Sequence, residues 1–148
     1  MRYVLAALLL VVLSFSQANA QAIVTIVNGE ITEPLTTVPG DPQKGRSIVA
    51  SRQTGLCLLC HSGPFPEERF QGNLAPELSV SVARYTAPQL RARIVDASYF
   101  NPQTIMPSYY RTEHLNRVAS KFAGQPILNA QEIEDVVSYL MSLNGVSK

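Results

Sequence analysis

Cys57-Leu58-Leu59-Cys60-His61 is the stretch on which the reading of this chain turns. Two thiols three positions apart can reach the two vinyl groups of one haem and form thioethers, and the histidine directly after the second is placed under the iron as an axial ligand. The same C-x-x-C spacing serves disulfide exchange and supplies half of many zinc sites. A zinc site needs four Cys or His ligands, and outside the motif the chain offers only His114, with no second C-x-x-C. A thioredoxin-like exchange site needs a βαβ context, which the sequence pattern lacks. The stretch therefore predicts one covalently attached haem c, tethered by Cys57 and Cys60, with His61 on the iron.

The N-terminus supplies a compartment that suits this chemistry. Arg2 precedes an unbroken apolar run from Val4 to Leu13, and Ser14 to Ala20 ends in Ala18-Asn19-Ala20, an A-x-A cleavage pattern. The run is well short of the roughly 20 residues a membrane-spanning helix needs, so residues 1–20 read as a secretory signal peptide and not as a membrane anchor. No twin-arginine pair is present, which favours the general secretory route. The expectation is a periplasmic protein cut near Ala20 and beginning near Gln21. Export also fits because c-type haem is attached outside the cytoplasm, where these cysteines would otherwise oxidise to each other.

Of 148 residues, 128 then remain, enough for one domain with a modest core that a buried haem would enlarge. With Arg2 gone, 11 Lys and Arg face 11 Asp and Glu, a balance that points to neither nucleic acid nor an acidic membrane. Arg84, Arg91, Arg93, Arg111, Arg117 and Lys121 outnumber Asp96 and Glu113 in the middle, and Glu132, Glu134 and Asp135 form an acidic run near the end. Solvated helix faces are the plain explanation for both, and a docking patch for a redox partner is the sharper one.

Residues 21–40 read as an extended N-terminal segment, with β-branched residues around Asn28-Gly29, a dipeptide that favours a type I′ turn between paired strands. A lone hairpin is marginal in water, so it packs either on this domain or on a partner. Residues 41–148 form the main domain. Asp41 with Pro42 starts a helix expected to run to about Arg52 and to be ended by Gly55. Residues 61–76 are rich in Gly and Pro and suit a loop around one haem edge. Thr86 with Pro88 starts a second helix, with Leu90, Ile94 and Ala97 on one face, Arg91 and Arg93 pointing elsewhere, and an end near Ser98. Leu115, Val118, Ala119 and Phe122 repeat at helical spacing. Asn129 and Glu132 make a capping-box-like start to a last helix striped by Ile133, Val136, Val137, Leu140 and Leu143.

Three side chains compete for the position across the iron from His61. Met141 follows Val137 by one turn on the last helix, where a methionine is most simply core filler. His114 sits in a polar stretch and reads as a surface residue. Met106, between Ile105 and Pro107, lies in a loop whose backbone can turn the thioether inward without breaking a helix, and it is the preferred ligand. A thioether donates weakly and favours ferrous iron, so a His61/Met106 pair raises the potential and closes the iron to small molecules, which points to electron transfer and not to catalysis at the metal. Tyr109 and Tyr110 are the tyrosines nearest Met106 and the preferred ones to cover the haem or bind its propionates.

At this point the chain resembles a known family. The order helix, C-x-x-C-H, loop, Met-Pro and C-terminal helix is similar to class I cytochrome c. Pro39-Gly40-Asp41-Pro42, Phe70-Gln71-Gly72-Asn73-Leu74, Ala92-Arg93-Ile94-Val95-Asp96, Phe100-Asn101-Pro102, Thr104-Ile105-Met106-Pro107-Ser108-Tyr109-Tyr110 and Ala130-Gln131-Glu132-Ile133-Glu134-Asp135-Val136-Val137 resemble the SoxX cytochrome subunits of the periplasmic thiosulfate-oxidising Sox system. The resemblance implies a mainly α, class I cytochrome c-like domain with helices packed around one covalently bound haem. It carries over Cys57 and Cys60 as attachment residues, His61 as proximal ligand and Met106 as distal ligand.

An axial histidine generally gives its other N–H to an acceptor that fixes the ring. In small cytochromes c this is often a proline carbonyl downstream of the motif, and Pro76 is the matching position, with Pro64 and Pro66 also open. The chain departs from the class at Val49, four residues after Gly45, where an aromatic is usual, and at Ala75, where a glycine is expected. The resemblance further implies a heterodimer with SoxA, a c-type cytochrome with a cysteine-ligated haem, which joins thiosulfate to a cysteine of the SoxYZ carrier while electrons leave through the haems toward a downstream acceptor cytochrome. This chain has no cysteine beyond the motif, which agrees with catalysis, as an L-cysteine S-thiosulfotransferase, placed on the partner. The alternatives are a stand-alone periplasmic electron shuttle and a haem enzyme with an open iron site.

Overall fold

A computed structural model describes residues 24–144, so the signal peptide read over residues 1–20 and its cleavage near Ala20 lie outside the described residues. The first helix, α1 (Pro42–Ala50), starts as the sequence predicts: the Asp41 carboxylate accepts from the amides of Gln43 and Lys44, and Pro42 takes the first turn. It ends at Ser51, short of Arg52. Gly55 does not terminate it. A Cβ there would lie 2.1 Å from the Ile48 carbonyl oxygen, so glycine lets the chain fold back against the last turn of α1, and the left-handed residue is Leu56 at φ 61°.

Helix α5 (Ala130–Leu143) carries the full capping box: Glu132 N–H donates to Asn129 Oδ1 at 3.0 Å, and Asn129 N–H donates to Glu132 Oε2 at 2.8 Å. Its expected stripe is buried from Ile133 to Leu143. Helices α1 and α5 form the main pair of the fold. They approach closely at Gly45, where a Cβ would fall 1.9 Å from the Asp135 carbonyl oxygen, so only hydrogen fits between the backbones. Val49 is fully buried one turn later, and Phe65 packs on Tyr139 of α5 with ring centroids 5.7 Å apart, so the aromatic at this junction comes from elsewhere in the chain.

Helix α2 (Leu78–Val82), which the sequence pattern did not predict, is a five-residue turn capped by Glu77. Helix α3 (Ala87–Val95) begins with a Thr86/Gln89 capping box. It stops at Asp96, earlier than Ser98, because Asp96 is extended at φ −149° and its carboxylate caps a new short helix, α4 (Ala97–Phe100).

The charged residues correct the expectation of solvated faces. Arg91 is buried, and its Nε and Nη2 donate to Glu134 Oε1 and Oε2 at 2.6 and 2.9 Å. Glu134 Oε1 also accepts from Leu35 N–H at 2.9 Å, and Arg91 Nη1 donates to the Ile31 carbonyl at 2.7 Å. Asp135 is buried too and accepts from Asp41 N–H at 2.8 Å. A charge can be buried when its partner arrives with it, and a pairing across 43 positions leaves no periodic trace in the sequence.

These bonds fasten the N-terminal segment to this domain. Asn28 and Gly29 both have positive φ, as a type I′ turn requires, but the turn joins a single bridge, Val27 to Glu30, and not two strands. Ile31 is buried, and its N–H donates to the Pro88 carbonyl of α3 at 3.1 Å. The helix expected around Leu115 to Phe122 is not formed: His114 and Arg117 have positive φ, and only Ser120–Phe122 makes a 3-10 turn. Val118 is exposed, so the apolar spacing there meets no packing surface. Among the described residues no helix is long and apolar enough to cross a membrane.

Candidate haem site

The motif folds as a tight knot. Leu56 in the left-handed region turns the chain into a 3-10 turn over Cys57–Leu59, and the amides of Cys60 and His61 both donate to the Cys57 carbonyl, at 3.1 and 2.9 Å. Leu58 is buried in the core, which fixes the knot, while Cys57, Cys60 and His61 line one cavity. Residues 61–76 are stitched back onto it: Gly72 N–H donates to Leu58 O at 2.8 Å, and Ala75 N–H donates to Cys60 O at 2.9 Å. Ala75 therefore serves where glycine is usual. The next carbonyl, that of Pro76, lies 2.6 Å from His61 Nδ1. A carbonyl can only accept, so Nδ1 carries the proton and Nε2 keeps its lone pair for a metal. Pro64 and Pro66 do not make this contact.

The opposite wall is irregular. Asn101 to Ser108 form a loop in which Thr104 N–H donates to Asn101 O at 3.0 Å and Met106 N–H donates to Thr104 Oγ1 at 3.1 Å. The loop returns to α3, with Tyr109 N–H donating to Ile94 O at 3.1 Å. Met106 lines the same cavity as the motif, Met141 packs half-buried on the core away from it, and His114 is exposed.

Tyr109 and Tyr110 part company. Tyr109 lines the cavity, donates its hydroxyl to Gly55 O at 2.6 Å and places that oxygen 3.9 Å from Cys57 Sγ. Burial pushes the Tyr109 hydroxyl far above its ordinary range, and burial also pushes the Cys57 thiol up to about 11, with the contact between its sulfur and the Tyr109 oxygen working against the rise. Both groups are neutral near pH 7. Tyr110, expected beside the haem, instead faces clefts formed with Val24 and Thr25 of the N-terminal segment. Consecutive side chains here leave the backbone toward different sides, which nearness to Met106 in sequence could not reveal.

The cavity measures about 480 Å³ and is walled by apolar side chains from α1, α3 and α5, among them Val49, Ile94, Val136 and Leu140. Two free thiols, an imidazole with its outer nitrogen fixed and a thioether share it, a donor set that suits a covalently bound haem. Among the described residues no cluster of three or more His, Cys, Asp or Glu could hold a metal. The sequence reading missed Asp96, which gathers Ser98, Ser108 and Arg111 at the base of the Met106 loop. Its one legible signal was an aspartate directly before a helical stretch.

Helices closing on an apolar cavity that presents C-x-x-C-H on one wall and a methionine on the other define a mainly helical fold of the class I cytochrome c type. The chain is similar to the crystal structure of SoxXA from P. pantotrophus, with 36% sequence identity and a TM-score of 0.75, covering 82% of this chain and 94% of that one. It belongs to the SoxX family. No family model matches the sequence, and no curated protein matches it significantly.

Proposed function

We propose that this chain is the electron-transfer subunit of a periplasmic SoxAX complex that oxidatively joins thiosulfate to a cysteine of the SoxYZ carrier. The observation that carries this reading is the gathering of Cys57, Cys60, His61 and Met106, from two segments distant in sequence, on the walls of one apolar cavity. Cys57 and Cys60 would tether one haem c, and His61 Nε2 and Met106 Sδ would hold its iron. The haem supplies a one-electron couple. Pro76 fixes the imidazole ring and adds basicity to Nε2, while the weakly donating thioether favours the reduced state. The apolar walls would shield the couple from water, and with His61 and Met106 both holding the iron the chain would leave no place for a substrate at the metal. With both cysteines used as tethers, the sulfur chemistry falls to the partner, SoxA, and electrons pass through this subunit to a downstream acceptor cytochrome.

The test is co-purification from periplasm, with haem reduction followed after thiosulfate is added. A second haem subunit should travel with this chain, reduction by thiosulfate should require that partner and SoxYZ, and mass spectrometry should find one haem on a chain beginning near Gln21. A stable lone monomer that passes electrons to an oxidase without a partner would make it a free shuttle instead.

A further inference from the structure

The His61 wall is held by a covalent motif and backbone bonds, but the loop that presents Met106 has little regular structure to hold it. Its ends meet at one carboxylate. Asp96 ends α3 and caps α4, its Oδ1 accepting from Ser98 N–H at 3.1 Å and Ser98 Oγ–H at 2.6 Å. The same Oδ1 accepts from Ser108 Oγ–H at 2.6 Å, across twelve positions, immediately beyond Met106-Pro107. Arg111 completes the group: its Nε lies 3.2 Å from Asp96 Oδ2, near enough to pair but out of line for a hydrogen bond, and its Nη2 donates to Ser98 Oγ at 2.8 Å. The Asp96 carboxylate is thus the knot through which the start and end of the 97–108 loop are tied, and Ser108 is its contact on the methionine side.

We propose that Asp96, acting through Ser108, is the positioning residue that holds the Met106 loop closed and so keeps the thioether in the sixth coordination position. This rests on the reading of Met106 as the axial ligand. A hydrogen bond to a charged acceptor shifts a local opening equilibrium about tenfold or more. Opening the loop withdraws Met106, and an added ligand can then take its place. Imidazole added to the ferric holoprotein measures this opening, and amide hydrogen exchange of residues 101–108 measures it independently of the metal.

Ser108→Ala is the mild variant. It should bind imidazole about tenfold more tightly and exchange the loop amides about tenfold faster, with the midpoint of denaturant unfolding moved no further than in Ser142→Ala. Ser142 donates a hydrogen bond of the same length, 2.6 Å, to the neutral Tyr139 carbonyl, remote from the loop, and its variant should leave imidazole affinity unchanged. Asp96→Asn should act in the same direction and more strongly. The assignment is overturned if Ser108→Ala leaves both imidazole affinity and loop exchange at parental values, or if Ser142→Ala changes them equally. Failure of the underlying reading looks different: the parent would lack the ferric sulfur-to-iron charge-transfer band, or Met106→Ala would keep it.

Discussion

The two walls of the haem cavity are built by different means. On the His61 side five consecutive residues carry both thiols and the imidazole, and several backbone bonds to Cys57, Leu58 and Cys60 lock the surrounding loop. On the Met106 side the thioether rides on a loop closed by the backbone bond from Tyr109 to Ile94 and by side chains gathered on Asp96 at the end of α3. The first wall gathers its groups in one short motif held by several backbone bonds, and the second presents one side chain on an irregular loop tied largely through a single carboxylate. A cytochrome built this way should keep its haem when its distal wall is damaged and lose it when its proximal motif is.

Replacing both Cys57 and Cys60 by alanine is the severest test. Covalent haem, read by the haem-derived mass increment and by retention of colour in denaturing gels, should be absent altogether, and an attached haem in that variant would break the comparison outright. Arg91→Ala strikes the frame both walls share, since α3 and α5 each line the cavity. Leaving Glu134 buried without its partner should cost about 3–5 kcal/mol in urea unfolding of the holoprotein, and a loss under 1 kcal/mol would mean that the pair is not buried in solution.

Met106→Ala is expected to be milder for folding and specific in its spectrum. The haem should stay attached, the ferric charge-transfer band should vanish and the reduction potential should fall as the thioether is lost. Unchanged spectra would assign the sixth position to another residue, and loss of the haem would erase the asymmetry between the walls.

The smallest effect concerns acid. Partial burial alone would raise the Asp96 carboxyl, but hydrogen bonds from Ser108 and Ser98 and the Arg111 charge hold it below the ordinary value near 3.8. A carboxylate lowered on folding contributes stability that is fully present above the unfolded value and is lost as pH falls through the folded one. Stability should therefore drop below about pH 3.8 with a slope of under one proton that Asp96→Asn removes. A variant with the parental slope would show that Asp96 is not tied as the geometry indicates.

Much of this protein was legible in sequence wherever the cause was local. The helix starts at Asp41, Thr86 and Asn129 follow from side chains that bond amides two or three residues away, and the type I′ turn follows from residues that tolerate positive φ. The stripe of α5 follows from its period. The failures share the opposite cause. Arg91, Glu134 and Asp135 read as surface charges because nothing in their spacing announces a partner elsewhere in the chain, and residues 115–122 read as helical because spacing alone cannot say whether a face has anything to pack against.

The sequence by itself singled out Cys57, Cys60, His61 and Met106 as the residues to look for, because C-x-x-C-H is a chemical unit whose members act on a single group and Met106 stands in a loop beyond it. Only the tertiary structure decided that the Pro76 carbonyl accepts the hydrogen bond from His61 Nδ1, that Tyr109 and not Tyr110 faces the cavity, and that Asp96 ties the Met106 loop. Each of those is a contact between groups twelve or more positions apart or a choice of side for one side chain. Such choices are made by the packing of α1, α3 and α5 around the cavity.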